Sequence, residues 1–119
     1  MKRRRHPENE LQIAVVSHLR MRGVPNLVFL HPANGGYRTI YEATLFKRMG
    51  VRAGASDLIL LHAGKFYALE LKVEGRSATD SQNEFIAAVE AAGGTGFVAV
   101  GLDAAIRKLE EWKLLKGLM

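Results

Sequence analysis

The sequence predicts an α/β fold, a mixed β-sheet flanked by α-helices. Three observations lead there. Segments with helical periodicity alternate with short apolar runs, in the order α-β-α-β-β-α-β-α. Two of those runs lie inside SDLILLHAGKFYALELK, Ser56 to Lys72, with only a short turn between them, as in an antiparallel hairpin. The second run is followed by a helical stretch and then by GFVAVG, the arrangement of a right-handed parallel crossover.

The first helix is expected over Pro7 to Arg22. Proline suits a first helical turn, and Glu8 and Glu10 favour its positive end. Leu11, Ala14, Val15 and Leu19 form an apolar stripe, widened by Ile13 and Val16, and Gly23 ends the helix. Asn26 to His31 reads as a short strand, followed by the loop PANGGYR. Tyr41 to Met49 reads as a short helix stopped by Gly50, and VRAGAS leads into the hairpin. After the polar turn VEGRSATD, Ser81 to Ala92 places Phe85, Ala88, Val89 and Ala92 on one helical face. The last helix is expected over Leu102 to Leu115.

A chain of 119 residues holds about one domain and one core. No apolar run approaches the ~20 residues of a membrane span, and no apolar core follows the basic N-terminus as in a signal peptide. The absence of cysteine excludes disulfides and thiolate metal sites and fits a cytoplasmic setting. The net charge of +5 is unevenly distributed. KRRR, Lys2 to Arg5, holds four of the seventeen basic residues, leaving thirteen against twelve acids elsewhere. Residues 1–6 therefore read as a basic flexible arm, and residues 7–119 as a nearly neutral domain. Such an arm suits a polyanion such as nucleic acid, or is simply a solvated tail.

The hairpin poses a chemical problem. Asp57 opens its first strand, and Glu70 and Lys72 stand in its second. Strand residues two apart share a face, so Glu70 and Lys72 are neighbours. A turn centred between Ala63 and Gly64 gives paired positions that sum to 127 and sets Asp57 across from Glu70. Their Cβ atoms would lie ~4.5–5.5 Å apart. Ala-Gly is not a favoured two-residue turn, and an odd-length loop would break this register.

Opposed buried carboxylates repel and raise each other's pKa unless a positive charge intervenes. A divalent cation removes the conflict. Mg²⁺ prefers oxygen ligands, keeps several waters, and can polarise a phosphate oxygen while activating a water. Lys72 would orient or deprotonate that water, or stabilise charge building on the phosphate. The plainer reading is an ordinary Glu70–Lys72 ion pair on a solvated strand, with Asp57 as a turn residue. Leu58 to Leu61 and Ala68 to Leu71 are apolar for a solvated hairpin, and the residues alone leave both readings open.

Five motifs in order carry a resemblance: ENELQ (Glu8 to Gln12), HPANGG (His31 to Gly36), GVRAGASD (Gly50 to Asp57), ALELK (Ala68 to Lys72) and SATDSQNEF (Ser77 to Phe85). Together they span most of the chain. The set resembles the VRR-NUC domain family of the PD-(D/E)XK nuclease superfamily, in its small stand-alone phage and bacterial form. The resemblance implies a restriction-endonuclease-like core and a Mg²⁺- or Mn²⁺-dependent phosphodiesterase acting on DNA. It implies Asp57 and Glu70 as metal ligands, assisted by the carbonyl of Leu71 and completed by Glu10. Lys72 matches the catalytic lysine, and Gln82 the glutamine that follows the E-x-K strand. Two positions depart from the pattern. Ser56 stands where the superfamily name has proline, and the name-giving Val-Arg-Arg ends in Ala53, leaving Arg52 for any phosphate contact.

Other residues have plainer uses beside functional ones. Glu10, like Glu8, suits the helix dipole. Gln82 fits a capping box with Thr79, as Glu84 does with Ser81. His31 at a strand end reads as structural, in a loop that shapes substrate access, where Asn34 and the backbone amides of Gly35 and Gly36 would lie near a phosphate. Arg3, Arg4, Arg5, Arg38, Lys47, Arg48, Arg52 and Arg76 are candidate phosphate contacts, and the plainer reading of each on its own is a solvated surface charge. Trp112 reads as core or dimer interface. So small a chain has little surface for reading sequence. The expectation is a structure-selective endonuclease for branched or junction DNA, acting as a homodimer. The alternative is a non-catalytic nucleic-acid-binding module with the same basic surface.

Overall fold

The structure is a computed structural model that describes residues 6–33 and 39–117. Its elements are α1 (Pro7–Arg22), β1 (Val28–Leu30), α2 (Ile40–Arg48), β2 (Leu58–His62), β3 (Lys65–Lys72), α3 (Asp80–Ala91), β4 (Thr95–Val100) and α4 (Leu102–Glu111). The strands form one sheet in the order β1-β2-β3-β4. The first two pairings are antiparallel, and β3 pairs with β4 in parallel through α3. The expected mixed α/β architecture is present.

The two faces of the sheet follow from the period-two alternation of strand side chains. Leu58, Leu60, Tyr67, Leu69, Leu71 and Ala99 point to one face and pack against Val15 and Leu19 of α1 and Ala105 and Leu109 of α4. Trp112 joins this core, its ring centroid 4.9 Å from that of Tyr67. On the other face, Ile59 and Ala68 meet Val89, with Phe66 and Phe85 alongside, so α3 is the cover there. Asp57, Glu70 and Lys72 fall in the alternation of this second face.

The hairpin register is the one expected. Leu58 pairs with Leu69 and His62 with Lys65, every pair summing to 127. The two turn residues, Ala63 and Gly64, both take positive φ, 50° and 77°, as a two-residue turn matched to strand twist requires. Ala63 tolerates this conformation although glycine or asparagine would adopt it at less cost.

Several boundaries differ from expectation. β1 is three residues long, because the chain reaches it through Asn26 at φ 66°. The last helix stops at Glu111 rather than Leu115. Lys113 turns at φ 63°, and Leu115 then bridges back to Gly23 at the end of α1. Arg22, 7 % exposed, fastens this return: it donates to the Lys116 carbonyl at 3.0 Å and pairs with Glu110. None of the residues of α2 is buried; Ile40, Tyr41 and Met49 are largely exposed.

Candidate active site

Asp57 lies one residue before the start of β2, at the open end of the hairpin. Its carboxylate Oδ2 accepts the backbone N–H of Leu71 at 2.8 Å. The side chain thereby occupies a place in the ladder that β2 is too short to fill. A strand residue directs its N–H and C=O to the same side, so the Leu71 carbonyl faces the same gap. Continued register sets Asp57 opposite Glu70, whose side chain is 2 % exposed. The Lys72 ammonium stands 3.9 Å from Glu70 Oε2. Asp57, Glu70 and Lys72 are thus brought together.

The electrostatics are those of a conflict. Burial, and after it the neighbouring Asp57 charge, raises the Glu70 carboxyl to about 8 against the opposing pull of Lys72. Glu70 Oε1 is buried with no hydrogen-bond partner. An orphaned carboxylate oxygen beside a second carboxylate is costly unless a cation or a proton shares the space. The donors are all hard oxygens, which suits Mg²⁺ or Mn²⁺ rather than a soft metal. Among the described residues, no group of three or more His, Cys, Asp and Glu comes together. Two carboxylates nevertheless match an ion that keeps several of its waters.

Asp57 also lines a groove of about 810 Å³ that runs between α2, the 50–57 loop and the start of α3. Lys47, Arg52, His31 and Gln82 share its wall. The loop is seated by Gly54 at φ 78°, where a Cβ would come within 2.3 Å of the Ser81 carbonyl. That close approach couples the loop ending in Asp57 to the first turn of α3. Ser56, just before Asp57, is 1 % exposed, and its hydroxyl has no partner.

The remaining sequence candidates divide. Glu10 is exposed in the first turn of α1, in keeping with its dipole reading, and does not join the pair. Gln82 forms the capping box: it accepts from the Thr79 N–H at 2.8 Å, and its own N–H donates to Thr79. Arg52 is exposed, with its guanidinium 5.5 Å from the Phe85 ring centroid. Arg76 lies away from the groove, in a cleft of about 260 Å³ beside His6 and Glu8. Arg3, Arg4, Arg5, Asn34, Gly35 and Arg38 lie outside the described residues. One contact was not anticipated. His31 Nδ1 lies 2.6 Å from the Asp57 carbonyl. The proline at position 32 was its only trace in the sequence.

Among solved structures, one described as a VRR_NUC domain protein superposes with a TM-score of 0.75 at 29 % identity, over 96 % of this chain and 94 % of that one. No family model matches the chain, and no curated protein matches it. The likeness covers nearly the whole chain and supports its placement in the VRR-NUC family.

Proposed function

With the VRR-NUC likeness as premise, we propose that this chain is a Mg²⁺- or Mn²⁺-dependent endonuclease that hydrolyses phosphodiester bonds in DNA. One observation carries the reading: two carboxylates converge at the open end of a hairpin, one of them with a buried unpartnered oxygen, and a lysine lies on the same face. Asp57, Glu70 and the Leu71 carbonyl would hold the ion. When bound, such an ion polarises a phosphate oxygen and lowers the pKa of a water beside it. Lys72, 16 % exposed, is placed to orient that water or to stabilise charge on the phosphate. Lys47 and Arg52 on the groove wall would hold the sugar-phosphate backbone. Arg3, Arg4, Arg5, Asn34, Gly35, Arg38 and Arg76 are further proposed DNA contacts. The trio on the hairpin suffices for this reading, without Glu10 or Gln82.

Selectivity for branched or junction DNA, with action as a homodimer, completes the proposal. Support for the dimer comes from exposed apolar side chains on α2, just after it and on the sheet edge: Ile40 and Tyr41, Met49, and Val28 and Leu30. Two copies would present two sites, as symmetrical cutting of a four-way junction requires.

The test is a nicking assay on supercoiled plasmid and on linear, flap and four-way-junction DNA, with Mg²⁺, Mn²⁺ or a chelator. Metal-dependent cutting by the wild type, lost in Asp57→Asn and Lys72→Ala, is expected. Salt-sensitive DNA binding with no cutting of any substrate would replace the nuclease by a binding module.

A further inference from the structure

We propose that His31 is a positioning residue that holds Asp57 in place for metal binding, an inference that rests on the nuclease reading above. A two-residue turn makes His62 and Lys65 a hydrogen-bonded pair, and strict alternation then directs the backbone of Asp57 toward β1. Continuing the β1–β2 register, in which Leu30 pairs with Ile59, sets position 32 opposite Asp57. That position is Pro32, which has no N–H to donate. The ladder would therefore leave the Asp57 carbonyl without its partner from β1.

The imidazole of His31 fills the vacancy. A carbonyl only accepts, so Nδ1 carries the proton and donates across 2.6 Å. On the opposite side, the Asp57 carboxylate accepts the N–H of Leu71 at 2.8 Å. Asp57 is thus held at its main chain from β1 and at its side chain from β3. The two bonds fix its backbone and the direction of its carboxylate, at a residue that belongs to neither strand. Without the first bond the Asp57 peptide is free to turn, and the carboxylate loses its aim at Glu70. Groups that orient metal ligands in this way affect affinity about 10–100-fold when removed.

His31 is exposed and lies outside the core, so its replacement should leave the fold intact. The choice of substitution separates positioning from bulk. Asparagine places its amide N–H where Nδ1 stands, whereas glutamine places it nearer Nε2. The experiment measures Mn²⁺ binding to the DNA-free protein by electron paramagnetic resonance, with thermal melting in chelator as the fold control. His31→Ala and His31→Gln should weaken Mn²⁺ about 10-fold, and His31→Asn should retain wild-type affinity within about 3-fold, with the melting temperatures of all three close to wild type. Cutting by His31→Ala should recover at high Mn²⁺. Equal Mn²⁺ affinity in wild type, alanine and glutamine variants overturns the role of His31 while leaving the nuclease reading in place. A wild type that binds no Mn²⁺ overturns both.

Discussion

Replacing Glu70 by glutamine should make the metal-free protein more stable at pH 8 while abolishing its metal site. In the folded chain the Glu70 carboxyl is raised from 4.5 to about 8, chiefly by burial and then by Asp57. Unfolded, it ionises near its ordinary value. Between those two points the folded state holds a proton that the unfolded state has released, so stability falls as pH rises. The protonated Glu70 contributes fully below about pH 4.5, and its contribution is lost by about pH 8. At ~1.36 kcal/mol per unit of pKa, the upper bound is ~5 kcal/mol. Water entry and relaxation at the open hairpin end leave ~2 kcal/mol as the working figure. For a domain of this size that is ~8 °C in melting temperature. Glutamine keeps the shape, carries no charge and can donate to the Asp57 carboxylate. Melting curves in chelator at pH 4.5 and pH 8 should therefore converge at the lower pH and separate at the higher, the variant melting later. Millimolar Mn²⁺ should close the gap by stabilising the wild type alone. Parallel curves for wild type and variant across this range would refute the account of Glu70.

Three further outcomes follow from the same geometry. Lys72→Ala should slow DNA cutting by about 10²–10⁴-fold with low-salt DNA binding retained, as single-turnover cleavage and anisotropy would report. Ser56→Ala removes a buried hydroxyl that has no partner and should stabilise the protein by ~1 kcal/mol in urea titration. Gly54→Ala meets the Ser81 carbonyl at a positive φ; it should cost ~2 kcal/mol or more and displace the loop bearing Asp57, with cutting falling more than stability explains.

What could be read from the sequence was whatever local rules decide. The first helix is bounded by Pro7 and Gly23 and falls where those residues set it. The hairpin register followed from counting back from its turn, because one face of a buried strand tolerates no slip. That count alone brings Asp57, Glu70 and Lys72 together. Longer-range effects were out of reach. The early end of α4 depends on Leu115 returning to Gly23, a contact no periodicity announces. The bond from His31 to Asp57 spans 26 positions and needs the β1–β2 register as well as the hairpin's. Gln82 could be read two ways, and its side chain went to the nearer partner, Thr79.

The trio sits on a single supersecondary unit of short loop length, and this bears on how the chain folds. Hairpins close in ~1–10 μs, well before distant segments find one another. Asp57 and Glu70 therefore face one another from the first steps of folding, and the cost of their opposition grows as β4 and α3 close over Glu70. In alkaline, chelated solution it acts as a brake on the nascent sheet. A divalent ion taken up at that stage would speed refolding as well as slow unfolding.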